Sequence, residues 1–596
     1  MGKKKALLKL DDSDRNADVT ERLLSDPSEN DPRSSESPML VRRRRNARTI
    51  WFAIIALSSG ILVFIGVLTI LRAVQDANNL VPTKRPNFPT QYEASITVNM
   101  PYINLIEPLY VHVNADRGLQ KLSYYGDSDI YIFNTSGSSY QIIPVIKELK
   151  CFRSDPEPIQ HVFPNMSLFE PQHGVTLVHG RSCLSWRYVT PGNDPTPAGW
   201  KGEYTLYVDQ TTEKPVRFHY IGRNPMLGGS HIDEYYLDYE YIREGPVDDH
   251  VFSTLPSMMN CSDATYLYGP KRTPGLDLHM MMPEGENKKQ EVFDEFKDKH
   301  DKNYDGEGQE LDRMTNYHHN LRYINAMNRK GLSYHLAPNA FADLSHTELM
   351  RMHHPNMVKR AEDNGANDIH DVSGTTLPDE FDWRQKGAVT PVKDQGSCGS
   401  CWTFGTTGAI EGALYMQRNK LYNLSEQSLM DCSWEFGNNA CNGGLDYQAY
   451  QWIMDAGGIE SADTYGGYRN VPGYCHFNRS NAVTSLTGFV NVTGLDAFND
   501  ALVTIGPLSV SIDASLPSFY FYAGGYYEDE ACKSDTDSLD HSVLAVGVTT
   551  HNGQKYTIIK NSWSTHWGEN GYALISQKNN LCGVATAATY PTLAKE

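Results

Sequence analysis

Hydrophobic and polar positions change their rhythm four times along the chain. The run "TIWFAIIALSSGILVFIGVLTIL", Thr49 to Leu71, carries no charge and is as long as the roughly 20 residues that a bilayer-spanning helix needs. It predicts one transmembrane helix at 49–71. A signal peptide would have a shorter apolar core, nearer the first residue and followed by a small-residue cleavage site. From about Tyr92 to Tyr268 the period becomes two, with many aromatic and β-branched residues. "GEYTLYVDQTTEKPVRFHYIG", Gly202 to Gly222, reads as two strands about a turn, and "EYYLDYEYI", Glu234 to Ile242, as another. This predicts an all-β antiparallel domain over 85–270.

Further on, Gln309, Arg313, Tyr317, Asn320, Ile324 and Asn328 follow at steps of four, four, three, four and four. That spacing places them along one stripe of an amphipathic helix. Beyond them "SLDHSVLAVGV" is a short apolar run that reads as a buried strand holding His541. A chain of 596 residues with such changes of pattern exceeds what one core organises, so several folded units are expected.

Charge orients the first segment. "RRRR", Arg42 to Arg45, with Arg48, precedes the apolar run, and only Arg72 and Lys84 follow closely. The excess of basic residues predicts that 1–48 is cytosolic and that everything later is lumenal or extracellular, as in a single-pass type II protein. The tail is rich in acids, serines and prolines and is expected to be disordered. Its Leu23-Leu24 pair beside acids resembles a dileucine sorting signal, whereas Gly2 lacks the Ser or Thr at Ala6 that myristoylation requires. Sequons begin at Asn134, Asn165, Asn260, Asn423, Asn478 and Asn491, all after the apolar run, in keeping with glycosylation on the lumenal side. A formal charge of −19 argues against nucleic acid as a partner, which would require a basic face.

Ten cysteines remain to be placed. Cys151, Cys183 and Cys261 fall in the β region, and the two nearest in sequence, Cys151 and Cys183, are expected to bridge, with Cys261 unassigned. In "KDQGSCGSCWTF", Cys398 and Cys401 are separated by two residues. Such a pair is a redox couple, half of a zinc site or two cysteines with separate tasks.

From Leu377 to the C-terminus, "LPDEFDWRQKGAVTPVKDQGSCGSCWTF" and "IIKNSWSTHWGENGYALI" resemble the mature papain-family cysteine proteases, cathepsin L among them. The resemblance implies an α+β fold with two lobes, one helical and one β-barrel-like, over 377–596. It makes Cys401 the nucleophile at a helix N-terminus, where the dipole favours a thiolate, and Cys398 a disulfide partner. It also makes His541, 140 positions later, the base and acid, Asn561 its orienting acceptor under Trp563, and Gln395 the oxyanion donor. Family connectivity implies Cys398–Cys441, Cys432–Cys475 and Cys532–Cys582, which leaves Cys401 free and no ligand set for zinc; neither metal nor cofactor is expected. Gly443, Gly444, Leu445, Asp446, Leu539 and Ala587 correspond to the wall of the S2 pocket. Its apolar members imply an apolar P2 preference, and Asp446, at the expected rim, some acceptance of a basic P2 side chain. Protein or peptide substrates are the expected partners.

The helical stripe together with "APNAFADLS", Ala337 to Ser345, resembles the inhibitory propeptide of the same family and implies a prodomain at 288–350. The polar stretch 351–376 is then an exposed processing linker, with maturation at acid pH as paired carboxylates become protonated. "LYVD", "PVRF", "YLDYEYI" and "VFSTLP" resemble the ependymin-related group, which implies a curved sheet around an apolar cavity of unknown ligand. The alternative reading is a membrane-tethered β domain that binds a ligand or partner and for which proteolysis is secondary.

Overall fold

The computed structural model describes residues 62–72 and 80–595, with breaks at 127–128, 146–147, 191–200, 224–231, 254–258, 264–275 and 353–363. The predicted membrane segment therefore lies largely outside the described residues. Residues 62–72 are helical, and among the described residues no helix is long and apolar enough to cross a membrane. The chain divides into two units, Met1–Ala77 and Asn78–Glu596, and every described strand belongs to the second.

The period-two region forms a 13-stranded sheet. Its spatial order begins Ser262–Asp263, Glu148–Ser154, Ser139–Val145, Asp129–Asn134, Leu119–Tyr124, Leu105–Asn114 and Gln91–Met100. It continues through Ile232–Glu244, Pro215–Arg223, Lys201–Asp209 and Arg181–Val189. Strand Gln91–Met100 alternates half-buried and buried positions without a break, the signature of one face turned to a core. That core gathers Ile96, Val98, Leu109, Val111, Tyr204, Phe218, Tyr235 and Leu237. The hairpin expected at Gly202–Gly222 pairs Gly202 with Gly222 and Leu206 with Phe218.

The expected Cys151–Cys183 bridge is not formed. Cys151 joins Cys261 with a Cα–Cα distance of 4.5 Å, and Cys183 is a buried free thiol. Strand Ser262–Asp263 runs parallel beside Phe152 and Arg153 at one end of the sheet, whereas Cys183 lies on Arg181–Val189 at the other. Proximity in sequence does not report proximity across a sheet.

Four helices follow: α1 (Leu276–Met281), α2 (Glu286–His300), α3 (Glu307–Arg329) and α4 (His346–Met352). The predicted stripe of α3 faces the extended segment after it. Asn320 donates to the carbonyls of Ala342 and Leu344 at 2.9 and 3.0 Å. Asn328 exchanges two bonds with the backbone of Leu336, and Arg313 forks onto Glu348 at 2.8 Å. Tyr334–Leu336 then adds to the edge of the C-terminal sheet at Tyr522–Gly525.

The C-terminal region carries α5 (Cys401–Arg418), α6 (Glu426–Cys432) and α7 (Asp446–Ala456), packed on a sheet centred on Leu508–Ile512, His541–His551, Gln554–Lys560 and Tyr572–Ser576. Disulfides join Cys398 to Cys441, Cys432 to Cys475 and Cys532 to Cys582. The expected exposed linker is docked in part. Asn364 and Asn491 exchange reciprocal amide bonds at 3.0 Å, Asp368–Ile369 pairs in parallel with Val490–Asn491, and His370 meets Asp500 at 2.9 Å. Extended backbone next to an open strand edge satisfies its hydrogen bonds there, which a polar composition does not announce.

Candidate active site

Cys401 is the first residue of α5, after Ser400, whose side chain makes no capping bond. The backbone N–H groups of Cys401 and Trp402, at this helix start, meet the thiol. Small residues let α5 enter the C-terminal sheet: a Cβ at Gly405 would lie 2.3 Å from the Ser542 hydroxyl oxygen, and one at Gly412 would be 2.6 Å from the Pro507 ring. Cys401 is thereby only 2 % exposed. Burial pushes its thiol up to about 11, against the pull of backbone hydrogen bonds from Ser542, Trp402 and Cys401 itself. Burial thus opposes the helix dipole at this thiol. Desolvation of a charge outweighs a helix terminus, whose effect is commonly below about 1 kcal/mol.

His541 opens strand His541–His551 and is fully buried. Its Nε2 lies 2.8 Å from Asn561 Oδ1, and the Trp563 ring covers the imidazole at a centroid distance of 4.7 Å. Asn561 follows strand Gln554–Lys560, whose antiparallel register sets Lys560 against Leu544 and so returns position 561 to the start of the histidine strand. Gln395 is tied to the same loop: its N–H donates to the Ser562 carbonyl at 2.8 Å, and its Oε1 accepts from the Ser562 hydroxyl at 2.7 Å. The Ser562 N–H also donates to Asn561 Oδ1 at 2.7 Å. Ser562 therefore links Gln395, whose Nε2 donates to the Cys398 carbonyl at 2.9 Å, to Asn561. Residue type alone does not single it out, although it stands inside "NSW".

The expected S2 residues are buried. A Cβ on Gly444 would sit 2.7 Å from the Trp402 ring, so only glycine allows the approach. Leu445 and Leu539 are buried and Ala587 nearly so. Asp446 does not present its acid at a rim. It is buried at the start of α7 and accepts the Thr589 hydroxyl at 2.5 Å, so it is not turned toward a basic P2 side chain. The asparagines at 165, 260, 423 and 478 are exposed and Asn134 is half-buried, whereas the Asn491 amide is engaged by Asn364. Among the described residues no cluster of side chains is suited to hold a metal ion.

A thiol beside a buried imidazole, itself held by an amide and next to a glutamine donor, defines a peptidase that works through a cysteine nucleophile. Residues 377–592 match the papain family cysteine protease domain, and residues 293–349 the cathepsin propeptide inhibitor domain. A cathepsin L-like peptidase of Aedes aegypti is 42 % identical over 316 residues, which are 50 % of this chain and 92 % of that protein. Cathepsin L1 of Drosophila melanogaster is 42 % identical over 316 residues, 50 % of this chain and 84 % of that one. Procathepsin L of Rattus norvegicus is 40 % identical over 279 residues, 46 % and 81 % of the two chains. The chain belongs to the papain family of cysteine proteases, and it is a cathepsin L-like enzyme made as a zymogen with its propeptide inhibitor.

Proposed function

We propose that the protein is an endopeptidase with an apolar P2 preference, held closed by its propeptide and opened by acid. The observation that carries the catalytic assignment is the His541–Asn561 bond beneath Trp563, tied through Ser562 to Gln395. Once the thiol is uncovered, Cys401 gives its proton to His541 and its sulfur attacks the scissile carbonyl carbon. The oxygen becomes an oxyanion, met by the Gln395 amide and the Cys401 N–H. His541 returns the proton to the leaving amine as the C–N bond breaks, leaving a thioester. Water, deprotonated by His541, attacks the thioester and releases acid and thiol. The apolar preference is supported by the burial of Leu445, Leu539 and Ala587, and the endopeptidase reading by a sequence over 377–596 that carries no histidine-pair insertion.

The acid trigger is supported by groups besides the carboxylates expected from sequence. His318 of α3 is buried, and burial, followed by Lys289 and Arg322, lowers it to about 3. Its Nε2 faces the Lys289 carbonyl at 2.9 Å, Tyr317 packs on its edge, and Asp233 lies beyond Arg322. Because its folded pKa is below the unfolded value, its stabilising effect is complete above about 6.5 and fades as pH falls toward 3. At pH 4.5 that loss is about 3 kcal/mol. Burial also lowers His300 to about 4. Glu348 is resisted by burial but lowered overall by Arg313 and Ser345, so its contribution is lost only below the ordinary carboxyl range. Between pH 6.5 and 4.5 the histidines dominate.

The charge-free run at 49–71, with its arginines on one side, supports a type II anchor with a lumenal or extracellular catalytic part. Cys401→Ala and His541→Ala are expected to abolish peptide hydrolysis while leaving the three bridges of the domain formed. Activity in the Cys401→Ala protein after acid processing by an added protease would refute the site.

A further inference from the structure

The family matches begin at residue 293 and give the N-terminal sheet no role. The structure puts the inhibitory helix against it. Opposite the predicted stripe of α3 runs a second one, His318, Arg322, Ala326 and Arg329, at steps of four, four and three. Arg322 pairs with Asp233 of strand Ile232–Glu244, with side-chain exposures of 8 and 7 %. Its Nε donates to the Tyr102 hydroxyl at 3.1 Å. Arg329 forks onto Glu107 of strand Leu105–Asn114 at 2.9 and 2.7 Å, with exposures of 7 and 1 %, and its guanidinium lies 4.4 Å above the Tyr124 ring.

The apolar face of the sheet is filled from the same side. Leu278, Met281 and Met282, in and just after α1, and Ala326 of α3 belong to its buried core. The Tyr235 hydroxyl donates to the Met281 carbonyl at 2.7 Å. Lys289 of α2 reaches the Tyr204 hydroxyl at 3.4 Å. The apolar face is thus occupied by this chain, and Glu107 and Asp233, the most buried carboxylates among the sheet's described residues, are matched by arginines seven residues apart on one helix.

We propose that the N-terminal sheet is a clamp for the propeptide: it binds an arginine-bearing amphipathic helix, α3, and keeps that helix in its folded, inhibitory form. Removing one partner of a buried ion pair leaves an uncompensated charge, so α3 answers to Glu107 and Asp233 although both lie outside the inhibitor domain. The inference rests on 293–349 being inhibitory, but its first readout needs no catalysis.

Hydrogen exchange of the full-length chain at pH 7, carrying Cys401→Ala to prevent self-cutting, compares α3 with α5 and with strand Gln91–Met100 in one molecule. Glu107→Gln and Asp233→Asn are each expected to speed exchange in α3 at least tenfold and to leave α5 and the strand unchanged. Unchanged α3, or equal acceleration of α3 and α5, overturns the clamp. If the strand itself exchanges faster, Tyr102→Phe, which removes one bond to Arg322 and keeps both carboxylates, decides: α3 faster by about threefold supports the clamp, and no change overturns it. With Cys401 intact, Glu107→Gln should mature severalfold sooner at pH 4.5 and yield a mature enzyme of unaltered kcat/KM. A chain that never hydrolyses peptides would sink the catalytic reading and leave the exchange result standing.

Discussion

The two faces of α3 are held by different physics. On the first, Asn320 and Asn328 meet backbone groups of the extended segment after the helix, and Ile324 and Tyr317 enter an apolar core shared with the C-terminal region. Toward the N-terminal sheet, Arg322 and Arg329 meet buried carboxylates, beside a buried histidine. Amide bonds and apolar packing do not titrate between pH 4 and 7. A histidine buried neutral does, so the sheet-facing side is where acid acts. The buried neutral His318 thus adds sensitivity to mild acid on the side of the second stripe, whereas Glu348, paired with Arg313 of the first, responds only at lower pH.

The comparison can be broken from either side. The largest loss is expected from Arg329→Ala, which strands Glu107: a cost of about 3–5 kcal/mol to the sheet-facing side, read as a fall in the urea concentration at which α3 loses protection. Ile324→Ala on the other face should cost about 3 kcal/mol by leaving a cavity, and the loss should be equal at pH 7 and pH 5. His318→Gln is expected to keep the bond to the Lys289 carbonyl without a titrating ring. Self-processing should then need a lower pH, the precursor having escaped a destabilisation of about 3 kcal/mol at pH 4.5; an unmoved pH midpoint would exclude His318 as a trigger. Asn320→Ala should be mildest, about 1–2 kcal/mol for two carbonyls left without their donor, and again insensitive to pH. The covered thiol adds a check on the whole arrangement. With Cys401 pushed up to about 11, iodoacetamide should label the intact precursor far more slowly than the acid-matured enzyme at the same pH.

The candidate catalytic set, Cys401, His541, Asn561 and Gln395, was named through the motifs that resemble the papain family, and the first stripe of α3, which meets the extended segment after the helix, through its helical spacing. The second stripe was not, although His318, Arg322 and Arg329 have equally helical spacing. Charged residues on a helix ordinarily face solvent, and nothing local says that a sheet 80 to 220 positions earlier supplies their partners. Asp446 misled for the converse reason: a carboxylate beside a substrate wall reads as a pocket charge until Thr589, 143 residues away, is found to hold it.

The sequence by itself determined which family motifs the chain carries, which segments alternate and which repeat with a helical period, because those properties are local: the order of residue types, the periodicity of a segment, the breaks between them. Only the tertiary structure decided which cysteine Cys151 reaches, how the linker docks, how deeply the thiol is buried and what the N-terminal sheet holds. Each of those depends on which distant segments exclude water together, and the cost of burying a charge is set by neighbours that adjacency in sequence does not supply.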